Sequence, residues 1–169
     1  ILSCYMRVIF SDNVYRLGGQ AKTILETHLQ QTGYFSVLNQ DNLSELQQEA
    51  GYSKTNQAIK GARYVITGDV SEFGRKEVGD QQLFGILGRG KEQIAYAKVN
   101  LNIVDVRSAE VVHSVQGAGE YGLSAREVLG FGSTASYDST LDGKVLDLAV
   151  REAVNHLVKD LQSKRWSAQ

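Results

Sequence analysis

Apolar and polar residues alternate at the start of the chain. Leu2, Cys4, Met6, Val8 and Phe10 share one face and Ser3, Tyr5 and Arg7 the other, which predicts a strand over residues 2–10 with one buried side. Ser11-Asp12-Asn13 ends it. After Gly18-Gly19 the period lengthens: Ala21, Ile24, Leu25, His28 and Leu29 recur at helical spacing, and Gly33 stands where a C-terminal glycine belongs. Tyr34 to Leu38 reads as a short strand. Asp41 is then placed to cap a helix whose Leu43, Leu46 and Ala50 face inward before Gly51 stops it.

A polar stretch with one helical turn at Thr55 to Lys60 leads through Gly61 into a strong strand, Ala62 to Phe73. A second runs from Ile94 to Val106, where Ala95, Ala97, Val99, Leu101 and Ile103 alternate with Tyr96, Lys98, Asn100 and Asn102. Asp105 to Glu110 turns the chain into a third strand, Val111 to Gln116. The last element is a long helix from Leu141 to Lys164, with Leu146, Ala149, Ala153, Leu157 and Leu161 on its seam and Asp142 near its positive end. The order is βαβαβββα, an α/β sandwich in which helices cover a mixed sheet, within a single domain spanning residues 1–169.

Composition changes this picture in one respect. The 169 residues include 17 glycines and no proline, and ten of those glycines crowd into two windows, 74–93 and 117–138, set between the later elements. Charge and cysteine act by exclusion. A formal net charge of −1 gives no field for nucleic acid, and Lys164-Arg165 reads as a helix-end cap. No run of eighteen apolar residues offers a transmembrane helix. Cys4 is the sole cysteine, so an internal disulfide and a cysteine zinc cluster are excluded by count. Ile1-Leu2-Ser3-Cys4 has the look of a bacterial lipoprotein cleavage site, yet Cys4 lies on the apolar face of the first strand and reads better as a buried core thiol.

Two motifs imitate nucleotide sites. Gly85-Ile86-Leu87-Gly88-Arg89-Gly90-Lys91 fits seven positions of a phosphate-binding loop, but Glu92 replaces the magnesium-binding hydroxyl and a strand follows where a helix is required. Gly117-Ala118-Gly119-Glu120-Tyr121-Gly122 matches a dinucleotide fingerprint without the helix and second parallel strand that it needs. His28, His113 and His156 find no orienting carboxylate or nucleophile at a consistent spacing, so they read as structural or interface histidines. The expectation is a non-enzyme without cofactor or metal.

The second window alternates over both its halves. Gly117, Gly119, Tyr121, Leu123 and Ala125 share one parity, as do Leu129, Phe131, Ala135 and Tyr137 after the charged Arg126-Glu127 turn. The other parity carries Glu120, Ser124, Thr134, Ser136 and Asp138. Length and period are those of two transmembrane β-strands, with Tyr121, Leu123, Leu129, Phe131 and Tyr137 toward lipid and the polar set toward a lumen; the other reading of the same pattern is a mobile, Gly/Ser-rich surface excursion. The first window has the length of a hairpin but clumps its apolar residues at Leu83, Phe84, Ile86 and Leu87, as a hairpin tip or an interfacial loop would. One hairpin pair cannot span a membrane alone, because its edges would leave backbone groups unpaired in lipid, so a membrane role requires a ring of subunits sharing one barrel.

Gly33-Tyr34-Phe35-Ser36-Val37-Leu38 with Asp41-Asn42-Leu43, Gly61-Ala62-Arg63-Tyr64-Val65-Ile66-Thr67-Gly68, and Val99-Asn100-Leu101-Asn102-Ile103-Val104-Asp105 with Glu110-Val111-Val112 together resemble the curli production assembly/transport (CsgG) family. The likeness runs from about Arg7 to about Leu161. It implies the same sandwich, two β-hairpins per subunit at the two glycine windows, and a homo-oligomeric outer-membrane lipoprotein ring that passes unfolded curli subunits from the periplasm. It also implies a constriction loop after the first strand, onto which Asn13, Tyr15 and Arg16 map, although Ser11 to Gly19 is shorter than that loop. Ser108-Ala109 replaces the family's usual Thr-Gly turn. The expected function is a passive export channel on the periplasmic side of the outer membrane, working with an unfolded secreted protein or an accessory periplasmic or extracellular factor. The alternative is a non-pore periplasmic interaction or scaffold module of an envelope assembly machine.

Overall fold

The computed structural model describes residues 4–11, 17–79, 91–122 and 139–167. These form β1 (Cys4–Phe10), α1 (Gly18–Gln31), β2 (Phe35–Val37), α2 (Leu43–Tyr52), β3 (Tyr64–Gly79), β4 (Lys91–Asp105), β5 (Val111–Gly122) and α3 (Ser139–Gln162). The sheet order is β2-β1-β3-β4-β5, with β2 and β3 parallel to β1 and the last three strands an antiparallel meander.

The alternation at the start of the chain sets the layers. Cys4, Met6 and Val8 are buried while Tyr5 and Arg7 lie on the opposite face. In β4 the set Ala95, Ala97, Val99, Leu101 and Ile103 is buried along its length. These strands meet Ala21, Leu25 and Leu29 of α1 and Leu146, Ala149, Ala153 and Leu157 of α3, so both helices cover one face of the sheet. Each fully buried aliphatic side chain there contributes about 1.5–3 kcal/mol relative to exposure. Gly33 takes φ +73°, the left-handed conformation that closes α1.

Four expectations for the middle of the chain are corrected. Asp41 does not cap α2: Asn42 holds that position without a side-chain bond, and the Asp41 carboxylate bonds Lys22 of α1 instead, with Arg7 Nη2 3.8 Å away. Nor does α2 face inward. It has no buried residue, Leu46 is 41% exposed, and the helix continues through Gly51 to Tyr52, 71% exposed. The segment 55–60 is irregular and holds no helical turn.

Strand lengths differ too. β3 does not end at Phe73 but runs on through Gly74, Arg75, Lys76 and Glu77 to Gly79, paired with β4 down to Lys91. A bulge between Val70 and Glu72 lets the ladder continue after the buried run of β3. The β4–β5 connection is the expected tight turn. Asp105 N–H donates to the Glu110 carbonyl at 2.9 Å, Asp105 Oδ1 accepts from Arg107 N at 2.7 Å, and Ala109 sits at φ +58°.

Candidate functional site

The three meander strands rise together beyond the buried core. Gly79 pairs with Lys91 and Ile94 with Gly122, so the C-terminal end of β3, the start of β4 and the end of β5 lie side by side. Both glycine windows therefore leave the sheet at one end, from adjacent strands.

The face of this meander away from the helices is built as cross-strand polar rungs. Ser114 Oγ donates to Asn102 Oδ1 at 2.6 Å. One rung higher, Gln116 Nε2 donates to Asn100 Oδ1 at 2.6 Å and Asn100 Nδ2 to Asp69 Oδ2 at 3.3 Å. Above them Lys98 Nζ donates to Glu72 Oε1 at 2.7 Å, and Lys76 bonds Glu120 across β4 while its Nζ lies 5.6 Å from the Tyr96 ring centroid. Glu72, Lys76, Tyr96, Lys98, Ala118 and Glu120 line a groove of about 360 Å³. The charges lining it are paired with one another, so the wall is polar without a strong field of either sign. The ion pairs are roughly half exposed, and each contributes at most about 1 kcal/mol.

The opposite face of β5 is set by α3. A Cβ at Gly117 would lie 2.1 Å from the Ala149 carbonyl oxygen, and one at Gly119 would lie 2.6 Å from Ala149 N. These glycines serve the close approach of a helix backbone to an edge strand. The nucleotide fingerprint is thereby accounted for: residues 117–122 lie within β5, not at a strand-to-helix turn. Lys91, the would-be phosphate lysine, opens β4, and residues 85–90 lie outside the described residues.

Of the expected site residues, Glu120 is on the open face beside Lys76. Tyr121 is on the helix side, packed partly against the core, with Lys144 Nζ 5.1 Å from its ring centroid, so the protein engages its ring at this rung. Leu123, Ser124, Leu129, Phe131, Thr134, Ser136, Tyr137 and Asp138 lie outside the described residues, as do Asn13, Tyr15 and Arg16.

Two of the histidines need a correction, because His28 and His113 each have a carboxylate that sequence spacing did not reveal. His28 Nε2 lies 2.7 Å from Asp147, which also accepts from Arg151 at 2.8 Å. His113 Nε2 is 3.0 Å from Asp160 and its ring stacks on Trp166. His156 Nδ1 donates to the Gln116 carbonyl at 2.8 Å, with Glu152 4.0 Å from its Nε2. Every one of these carboxylates belongs to α3, so the first two pairs tie that helix to α1 and to β5. Among the described residues no group of three or more His, Cys, Asp or Glu is arranged to hold a metal ion, and no helix is long and apolar enough to cross a membrane. Cys4 is buried as expected, and burial pushes its thiol up to about 11 against the opposing pull of Arg63.

Comparison with known proteins extends the picture. The family described as "Curli production assembly/transport component CsgG" matches residues 2–169. The chain is 64% identical over 164 residues to "Putative lipoprotein NMB1126/NMB1164" of Neisseria meningitidis serogroup B, covering 97% of this chain and 74% of that one. Among solved structures, the hypothetical protein CT253 from Chlamydia trachomatis is 10% identical and superposes with a TM-score of 0.52, over 95% of this chain and 96% of that one. That likeness is one of fold. A PelC dodecamer from Paraburkholderia phytofirmans is 17% identical with a TM-score of 0.46, over 90% of this chain and 86% of that one.

Proposed function

The chain belongs to the curli production assembly/transport component CsgG family, and from that premise we propose that it is a ring-forming envelope protein whose copies close a shared β-barrel for passive export of unfolded polypeptide. The observation that carries this reading is the common exit of both glycine windows from adjacent ends of β3, β4 and β5. In it the chain acts as one domain, and windows 74–93 and 117–138 are its two hairpin insertions. A lone subunit would leave strand edges unpaired in lipid, so the windows require neighbours.

The geometry also supports a place for the constriction. β1 is parallel to β3, and its end at Phe10 pairs with Gly68, eleven residues short of Gly79, or about 35 Å at about 3.3 Å per residue. Asn13, Tyr15 and Arg16 come next in sequence after the end of β1, and in this reading they narrow the path below the barrel. The wall between the two levels is the polar face described above, with Glu120 at its upper end. Paired charges there would pass an unfolded chain of either sign, and no step requires nucleotide hydrolysis. Family membership and the lipoprotein relative support an envelope location, and the outer membrane, approached from the periplasm, is the one we propose. Acylation of Cys4 forms no part of the reading, since that thiol is in the core.

The test is Leu123→Arg and Phe131→Arg, each an arginine on a proposed lipid-facing position at a cost of about 2–4 kcal/mol near the midplane. Both variants should keep the wild-type circular dichroism and melting temperature but lose conductance in planar bilayers. Wild-type conductance in both would overturn the hairpin assignment. Single particles in detergent should be rings with a central hole, whereas monomers with protease-sensitive windows would favour the scaffold module.

A further inference from the structure

β5 is the last strand of the sheet, and among the described residues no strand pairs with its outer side. Its run Val111–Gly122 has one formally charged residue, Glu120, and no proline. A long edge of this kind is a template for another chain, and proteins commonly protect such edges with lysine, proline, a bulge or a covering element. Here two of the backbone groups of β5 are occupied by side chains of α3. Ala118 N–H donates to Glu152 Oε2 at 2.6 Å, and the Gln116 carbonyl accepts from His156 Nδ1 at 2.8 Å. Glu152 and His156 are one helical turn apart, with 4.0 Å between Oε1 and Nε2. They reach the strand because Gly117, between the two bonded residues, lets the α3 backbone press against β5.

We infer that Glu152 and His156 guard the edge of β5 against pairing with the β5 edge of a second copy. The two bonds take up a donor and an acceptor two residues apart, the groups that an added antiparallel strand would use. The guard works whether or not the copies form a channel, because it acts below Gly122, within the described sheet.

The experiment compares the whole chain with E152A/H156A and with E152Q/H156Q, whose amides can still accept from Ala118 and donate to Gln116. Each version also carries Ser114→Cys, on the unguarded stretch of β5, for bis-maleimide cross-linking. Cys4 needs no removal, being buried. The alanine pair should exchange the Ala118 amide at least about tenfold faster and give dimers cross-linked through position 114 that increase with concentration. Wild type and the glutamine pair should give neither. Equal cross-linking in wild type and the alanine pair, or unchanged exchange at Ala118, would overturn the inference. Rings in detergent are scored separately, so loss of the channel reading would not be mistaken for loss of the guard.

Discussion

Replacing Gly117 by alanine tests whether the packing of α3 on β5 is set by a missing methyl group. The added Cβ would stand 2.1 Å from the Ala149 oxygen, 2.4 Å from Ala153 N and 2.8 Å from Ala153 Cβ. The first two are backbone atoms of a helix whose neighbouring Leu146, Val150 and Leu157 are fully buried, so no side chain can swing aside. Relief requires α3 to back away by about 1 Å, and a gap of that size forfeits roughly a quarter to a half of each dispersion contact along the seam. Overpacking of this kind costs about 1–3 kcal/mol, and backbone on both sides puts Gly117→Ala near 3 kcal/mol. For a chain of this length that lowers Tm by about 6–12 °C. Gly119→Ala should follow at about 2 kcal/mol. Gly122→Ala is the control: nothing lies within 4 Å of its Cβ position, and its stability should stay within about 0.5 kcal/mol of wild type. Urea unfolding followed by circular dichroism gives the midpoints and shows whether m is unchanged. Equal midpoints for Gly117→Ala and Gly122→Ala would refute the reasoning.

Three further outcomes are expected. Ala109→Gly relieves a non-glycine residue at φ +58° and should raise stability by about 0.5–1 kcal/mol, and a lower urea midpoint would contradict that account. The hydrogen bond from Lys22 holds the Asp41 carboxyl below its usual range, so its contribution is in place above about pH 4 and is lost as pH falls through the depressed folded value. Asp41→Asn should accordingly lower the urea midpoint at pH 6 and approach wild type as pH falls through the depressed folded value, whereas a deficit independent of pH would exclude the pair as its cause. With its thiol pushed up to about 11 by burial, Cys4 should resist iodoacetamide at pH 8 in the native chain and react at once in urea, and equal rates would place it outside the core.

The parts of the fold legible in sequence are those whose burial is local and periodic. β1 and β4 alternate because one face of each meets helices along its length, and α1 shows its seam for the same reason. The upper part of β3 hid itself: Gly74, Arg75, Lys76 and Glu77 have no buried face to leave a period, and their ladder with β4 keeps them extended. Helical spacing in Leu43, Leu46 and Ala50 reported an amphipathic helix, but periodicity cannot say whether a core is there to receive it. In β5 the parity was readable and the neighbour was not. Gly117 and Gly119 answer to Ala149, Ala153 and Val145, more than twenty residues away. His28 and His113 failed to show their carboxylates for the same reason, since His28 meets Asp147 across 119 positions.

The detachment of α2 makes the link from β2 to β3 a tether. Its ends are tied down, where Leu38 N bonds the Met6 carbonyl and Arg63 N bonds the Tyr5 carbonyl, while α2 between them buries no side chain. Halving or doubling such a link changes its closure entropy by only about 0.6 kcal/mol. A peptide tag or a small domain spliced into 53–59 would ride on the sheet without entering its core, a natural handle for carrying a probe.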